Sequence, residues 1–135
     1  MDLKILQYNI HKSRKVLEPL LASSYVTEVD IIAIQESWHS PSGNDSYCPR
    51  SCPFYLVYLD SSSRVAFYIN KRFSTDSWTY KFYSKDLVAL ELFLPPATSA
   101  SSSNLSKSIR VVNCYSEPPS CFNNIPSNSP VPILQ

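Results

Sequence analysis

The chain has a single glycine, two histidines and almost no net charge, with 12 basic against 11 acidic side chains over 135 residues. A balance of +1 excludes recognition of nucleic acid through bulk electrostatics, so any phosphate-binding face has to be local. No apolar run approaches the roughly 20 residues of a membrane-spanning helix. The opening Met1-Asp2-Leu3-Lys4 also lacks the apolar core of a signal peptide. A soluble intracellular protein without a membrane partner is expected. The four cysteines, Cys48, Cys52, Cys114 and Cys121, never show the two-residue gap of a zinc ribbon. A small zinc-stabilised module is therefore a competing reading, and Cys114, inside an apolar run, reads as a small buried hydrophobe.

What is present is globular material: 44% of the residues are hydrophobic and 13% aromatic, enough for one core. The most informative stretch is Asp30-Ile31-Ile32-Ala33-Ile34-Gln35-Glu36. Its unbroken apolar run cannot alternate in and out, so it predicts a central strand covered on both faces, and it stops on a carboxylate. A carboxylate where the cover ends is well placed to hold a hard cation such as Mg²⁺.

In chain order, Leu3 to Asn9 reads as a first strand and Ser13 as a helix N-cap. Val16, Leu17, Leu20, Leu21 and Tyr25 recur at helical spacing, while Pro19 predicts a late start or a kink because it cannot donate to Lys15. Strand, helix and strand make a βαβ unit. After Glu36 comes a turn-dense loop holding the sole glycine, Gly43. Phe54–Leu59 and Arg64–Asn70 read as an antiparallel hairpin around Asp60-Ser61-Ser62-Ser63. Trp78–Tyr83, Leu87–Leu94 and Ile109–Tyr115 are further strands, with a flexible serine-rich connection at 97–107. The Pro/Ser-rich tail, residues 120–135, is expected to be disordered.

Three predicted strands end on groups able to contact a metal, a water or a phosphate oxygen: Gln7-Tyr8-Asn9, Gln35-Glu36 and Asn113-Cys114-Tyr115. In an open α/β sheet, ligands sit beyond the carboxyl ends of the strands. An amide, a carboxylate and a phenol would meet there.

At these residues the chain resembles a known family. Leu6-Gln7-Tyr8-Asn9 with His11-Lys12-Ser13, then Ala33-Ile34-Gln35-Glu36-Ser37-Trp38, Arg64 to Arg72, Asp86-Leu87-Val88, and Val112-Asn113-Cys114-Tyr115-Ser116 resemble, in order and spacing, the endonuclease/exonuclease/phosphatase family. The likeness is strongest to the apurinic-type endonuclease domain of fungal non-LTR (LINE-like) retrotransposons, over residues 3 to 119. It implies an α/β fold, the N-terminal half of a four-layer α/β sandwich, with a mixed sheet, a βαβ start and antiparallel hairpins. It further implies a Mg²⁺- (or Mn²⁺-) dependent phosphodiesterase that nicks double-stranded DNA, nuclear if functional. By resemblance Glu36 and Asn9 form the metal site, Tyr115 contacts the scissile phosphate, and Asn113 belongs to the same catalytic motif. His11, Lys12, Arg14 and Lys15, with Lys71 and Arg72, would supply local phosphate contacts.

The chain departs from the family where Ser37 replaces the usual proline, and it has neither the Gly-Asp-Phe-Asn-like nor the Ser-Asp-His motif of the later half. The expectation is a partial domain, residues 1–119, with hydrolysis lost or severely reduced. Alternatively it is a non-catalytic DNA- or protein-binding remnant. With half of the sandwich absent, the inner face of its sheet would be uncovered and open to self-association.

Overall fold

The computed structural model describes residues 2–41, 46–94 and 107–116, and within them one α-helix and seven strands. β1 (Ile5–Asn9) and β2 (Ile31–Gln35) run parallel, connected through α1 (Arg14–Ala22). β3 (Phe54–Val57) and β4 (Val65–Asn70) form the anticipated antiparallel hairpin, and β4 also pairs antiparallel with β2. The first sheet is thus mixed, in the order β1-β2-β4-β3. β5 (Trp78–Ser84), β6 (Leu87–Leu94) and β7 (Lys107–Cys114) form a second, wholly antiparallel sheet in chain order.

The helix departs from expectation. It begins at Arg14, directly after Ser13, whose Oγ accepts from the N–H of Val16 at 3.3 Å, and it carries Pro19 inside. Both Pro19 and Lys15 face solvent, so the carbonyl that proline leaves without a donor can be hydrated. Leu17 and Leu21 are buried on the opposite face, and that packing outweighs the lost bond.

β2 is buried at every position, and its side chains alternate between two cores. Ile32 and Ile34, with Ala66 and Tyr68 of β4 and Phe54 of β3, pack against Leu17 and Leu21 of α1. Ile31 and Ala33, with Val65, Phe67 and Ile69 of β4, pack against Val88, Leu90 and Leu92 of β6. Helix, first sheet and second sheet therefore stack as three layers. The inner face expected to lie open is covered by β5–β7, and self-association through it is corrected accordingly. On the far face of the second sheet Tyr83, Phe93 and Val112 reach solvent.

The zinc reading is corrected as well. Cys52 is buried in the core on the helix side, whereas Cys114 is an exposed residue at the end of β7 in the second sheet. Cys121, the tail from 120 and most of the 97–107 connection lie outside the described residues. Among the described residues no helix is long and apolar enough to cross a membrane.

If β6 seals the first sheet, truncating its central side chain opens a cavity in a closed core. Leu90→Ala should cost about 2–5 kcal/mol in urea unfolding. Val112→Ala on the far face should stay within roughly 0.5 kcal/mol of wild type. Equal effects would contradict this layering.

Candidate functional site

The parallel register pairs Asn9 with Gln35, which sets the last residue of β1 beside Glu36, the first residue beyond β2. The backbone around Glu36 is held from both sides. Ile10 N–H donates to the carbonyl of Gln35 at 3.1 Å and Lys12 N–H to the carbonyl of Glu36 at 2.8 Å, while Ser37 N–H reaches the carbonyl of Arg64 at 3.4 Å. Closing this lattice forces a left-handed backbone at His11 (φ 53°), Lys12 (φ 58°) and Glu36 (φ 50°). None is glycine, and each such residue costs on the order of 1 kcal/mol. Among the described residues all the non-glycine positive-φ positions fall at this one spot. Strain of this kind gathers where geometry serves a function.

The side chains use the resulting shape. Asn9 Oδ1 accepts from the N–H of His11 at 2.9 Å, fixing the turn, and His11 Nδ1 then lies 3.3 Å from Glu36 Oε2. The Glu36 side chain keeps 21% of its surface exposed, so its carboxylate is reachable.

Tyr115 is brought to the same rim by β7. Its N–H donates to the carbonyl of Asp86 at 3.0 Å, and the Arg64 guanidinium lies 5.3 Å from its ring centroid. Arg64 in turn donates to both oxygens of Asp86, at 2.5 and 2.6 Å. The hydrogen bonds from Arg64 hold the Asp86 carboxyl below the usual carboxylate range. Asn113 sits deeper, at 1% exposure. Its amide donates to the carbonyls of Ile34 at 3.1 Å and Ala66 at 2.9 Å, and its oxygen accepts from Gln35 at 2.5 Å. Gln7 extends this amide chain by donating to Gln35 Oε1. Asn113 thus spends its polar atoms on joining the second sheet to β2 and β4 and does not face a ligand.

The basic residues named from sequence divide. Lys12 is at the rim, exposed. Arg14 pairs with Glu18 at 2.6 Å and stacks over Trp38 and Tyr47. Lys71 and Arg72 follow Asn70 at the opposite end of the sheet, because β4 runs antiparallel to β2. Five residues at about 3.3 Å each separate the two ends by roughly 17 Å. Arg72 moreover pairs there with fully buried Asp30. Assigning Lys71 and Arg72 to the same phosphate-binding site is therefore corrected.

No protein-family model, curated protein or solved structure matches the chain.

Residues that sequence reasoning gave no role also lie here. An open cavity of about 450 Å³ adjoins the rim, lined by Lys12, Trp38, Arg64 and the 61–63 turn with Ser37 and His39. Ser37 Oγ and His39 Nε2 both reach the carbonyl of Ser63, at 2.9 and 2.7 Å. A carbonyl only accepts, so His39 carries its proton on Nε2 and its buried Nδ1 has no protein partner. The signal for them was the polar run Glu36-Ser37-Trp38-His39 directly after a buried strand.

For the metal suggested by resemblance, the donors fit a hard cation that keeps most of its waters. Glu36 supplies one accessible carboxylate, and Asn9 an amide oxygen with a second lone pair beside it. Among the described residues no cluster of three or more His, Cys, Asp or Glu forms a denser cage.

Two outcomes follow. Glu36→Gly should raise folding stability by about 1 kcal/mol by relieving the left-handed strain, measured by denaturant unfolding. A loss of stability would show that φ is not strained there. Asp86, its pKa depressed in the folded state, contributes stability at pH values above its unfolded pKa and loses it as pH falls through the folded one. Asp86→Asn should accordingly be less stable than wild type at neutral pH, with the gap closing in acid.

Proposed function

We propose that this rim binds a phosphodiester of double-stranded DNA. We further propose that the chain is the N-terminal part of a Mg²⁺- (or Mn²⁺-) dependent endonuclease of the endonuclease/exonuclease/phosphatase type, with a four-layer sandwich as its full form. The observation that carries the reading is the meeting of Asn9, Glu36 and Tyr115 at one end of the molecule, on strained backbone. Their motifs also follow the order and spacing of the retrotransposon-type domains they resemble.

In this reading Glu36 would hold the cation, and Asn9 would fix the His11 turn that flanks it. A divalent ion bound there supplies Lewis-acid stabilisation of the charge that develops on phosphate oxygens. Tyr115, held between Arg64 and the Asp86 carbonyl, offers its phenol to a non-bridging oxygen. Lys12 contributes a cation to the backbone of the same strand. Asn113 is a positioning residue that aligns the sheets under these groups.

Deprotonating the attacking water is the weak point. The other rim carboxylate, Asp86, is committed to Arg64, and His11 Nδ1 is directed at Glu36. A missing acid–base function costs on the order of 10²- to 10⁴-fold in rate. Binding is therefore expected to survive better than turnover.

The test joins duplex binding across a salt titration to nicking of supercoiled plasmid with Mg²⁺. Salt-sensitive binding is expected, with Lys12→Ala lowering the salt slope by about one and Lys71→Ala leaving it unchanged. Slow nicking abolished by Glu36→Ala supports an impaired enzyme, and binding with no nicking at all supports a non-catalytic remnant. Absence of salt-dependent binding, or sensitivity to Lys71 in place of Lys12, would sink the assignment.

A further inference from the structure

His11 and Glu36 stand just past the ends of two adjacent parallel strands, β1 and β2. The left-handed backbone at both residues turns their side chains toward each other, and His11 Nδ1 comes to lie 3.3 Å from Glu36 Oε2. That separation exceeds the roughly 2.7–2.9 Å of a charge-assisted hydrogen bond. It suits two donors on one ion instead. With metal–nitrogen and metal–oxygen bonds of about 2.1 Å each, a gap of 3.3 Å subtends roughly 100° at the metal, between the octahedral and tetrahedral values. The pair is also reachable from solvent, the His11 side chain being 78% exposed and that of Glu36 21%. Both donors stand on backbone that is already tied. Asn9 Oδ1 accepts from the His11 N–H at 2.9 Å, and the Glu36 carbonyl accepts from the Lys12 N–H at 2.8 Å.

We propose that His11 Nδ1 is a ligand of the cation placed on Glu36, and that the rim therefore binds borderline divalent ions such as Co²⁺ and Zn²⁺ more tightly than Mg²⁺. The inference rests on Glu36 as a cation ligand, the reading proposed above, and adds to it a nitrogen donor and a class of ion. An imidazole decides that class. Mg²⁺ takes oxygen ligands and gives up its waters reluctantly, so a histidine contributes little to holding it. Imidazole suits the later first-row ions, whose affinity for mixed nitrogen and oxygen sites rises from Mn²⁺ through Co²⁺. Two close-set side chains, with the Asn9 amide oxygen beside them, leave the ion the open positions that a phosphate oxygen needs. The resulting site is sparse. Among the described residues no third His, Cys, Asp or Glu joins the pair, so the imidazole is a large share of what the ion gains from the protein.

The full chain, freed of metal with a chelator, is titrated with Co²⁺, followed by visible absorption, and with Mg²⁺, followed by isothermal calorimetry. The wild-type chain is expected to bind Co²⁺ at least about tenfold more tightly than Mg²⁺. His11→Gly removes the imidazole and installs the residue that a left-handed backbone accepts without cost, so the fold is kept. This variant should lose about tenfold or more in Co²⁺ affinity while staying within about twofold of wild type for Mg²⁺. Glu36→Ala should lose both ions. Equal Co²⁺ affinity in His11→Gly and wild type would overturn the inference and leave the Glu36 cation site standing. A wild-type chain that binds neither ion would overturn both.

Discussion

Burial of Ile31–Gln35 on both faces is the constraint on which the rest of the molecule rests. A strand apolar on both sides needs cover twice, from α1 on one face and from β6 on the other. Each fully buried isoleucine is worth about 1.5–3 kcal/mol of transfer free energy, so neither cover can be given up cheaply. The strand stops where cover ends, and there the chain must turn. The turn is made at Glu36 by a left-handed backbone that three neighbouring hydrogen bonds hold in place. The placement of the Glu36 carboxylate at the rim is thus a direct consequence of the most buried segment.

The two ends of that sheet are built differently. At the near end, the Gln7–Gln35–Asn113 amide chain crosses from the first sheet to the second. Gln35 and Asn113 are buried, and buried amides stabilise only when every partner is present, which makes the join stiff and specific. At the far end the corresponding group is a charge. Asp30, fully buried, accepts from Lys4 N–H at 2.7 Å and pairs with Arg72. A buried carboxylate without such a partner would be strongly unfavourable. Arg72 is therefore a structural cation, and the exposed cation at the rim is Lys12.

Arg64 shows how a residue can be visible in sequence and still be given no role. It opens the run that became β4, but only the pairing of β4 with β2 puts it beside Ser37 and leaves Lys71 and Arg72 at the other end. In an antiparallel strand six residues long, opposite ends of one motif serve opposite ends of the molecule. Asn113, which the strand-end pattern and the resemblance group with the catalytic residues, is buried beneath the rim with its amide committed to backbone carbonyls.

Local pattern alone determined the βαβ start, the hairpin, the later strands and the central position of β2, because periodicity and apolar runs encode burial directly. It also marked Asn9, Glu36 and Tyr115 as strand-end groups. Tertiary structure decided which strand ends share a rim, that helix formation tolerates Pro19, and that the second sheet closes the first. These depend on strand direction and on contacts between residues distant in sequence or folded back by a turn. A one-dimensional pattern of polarity carries no information about either.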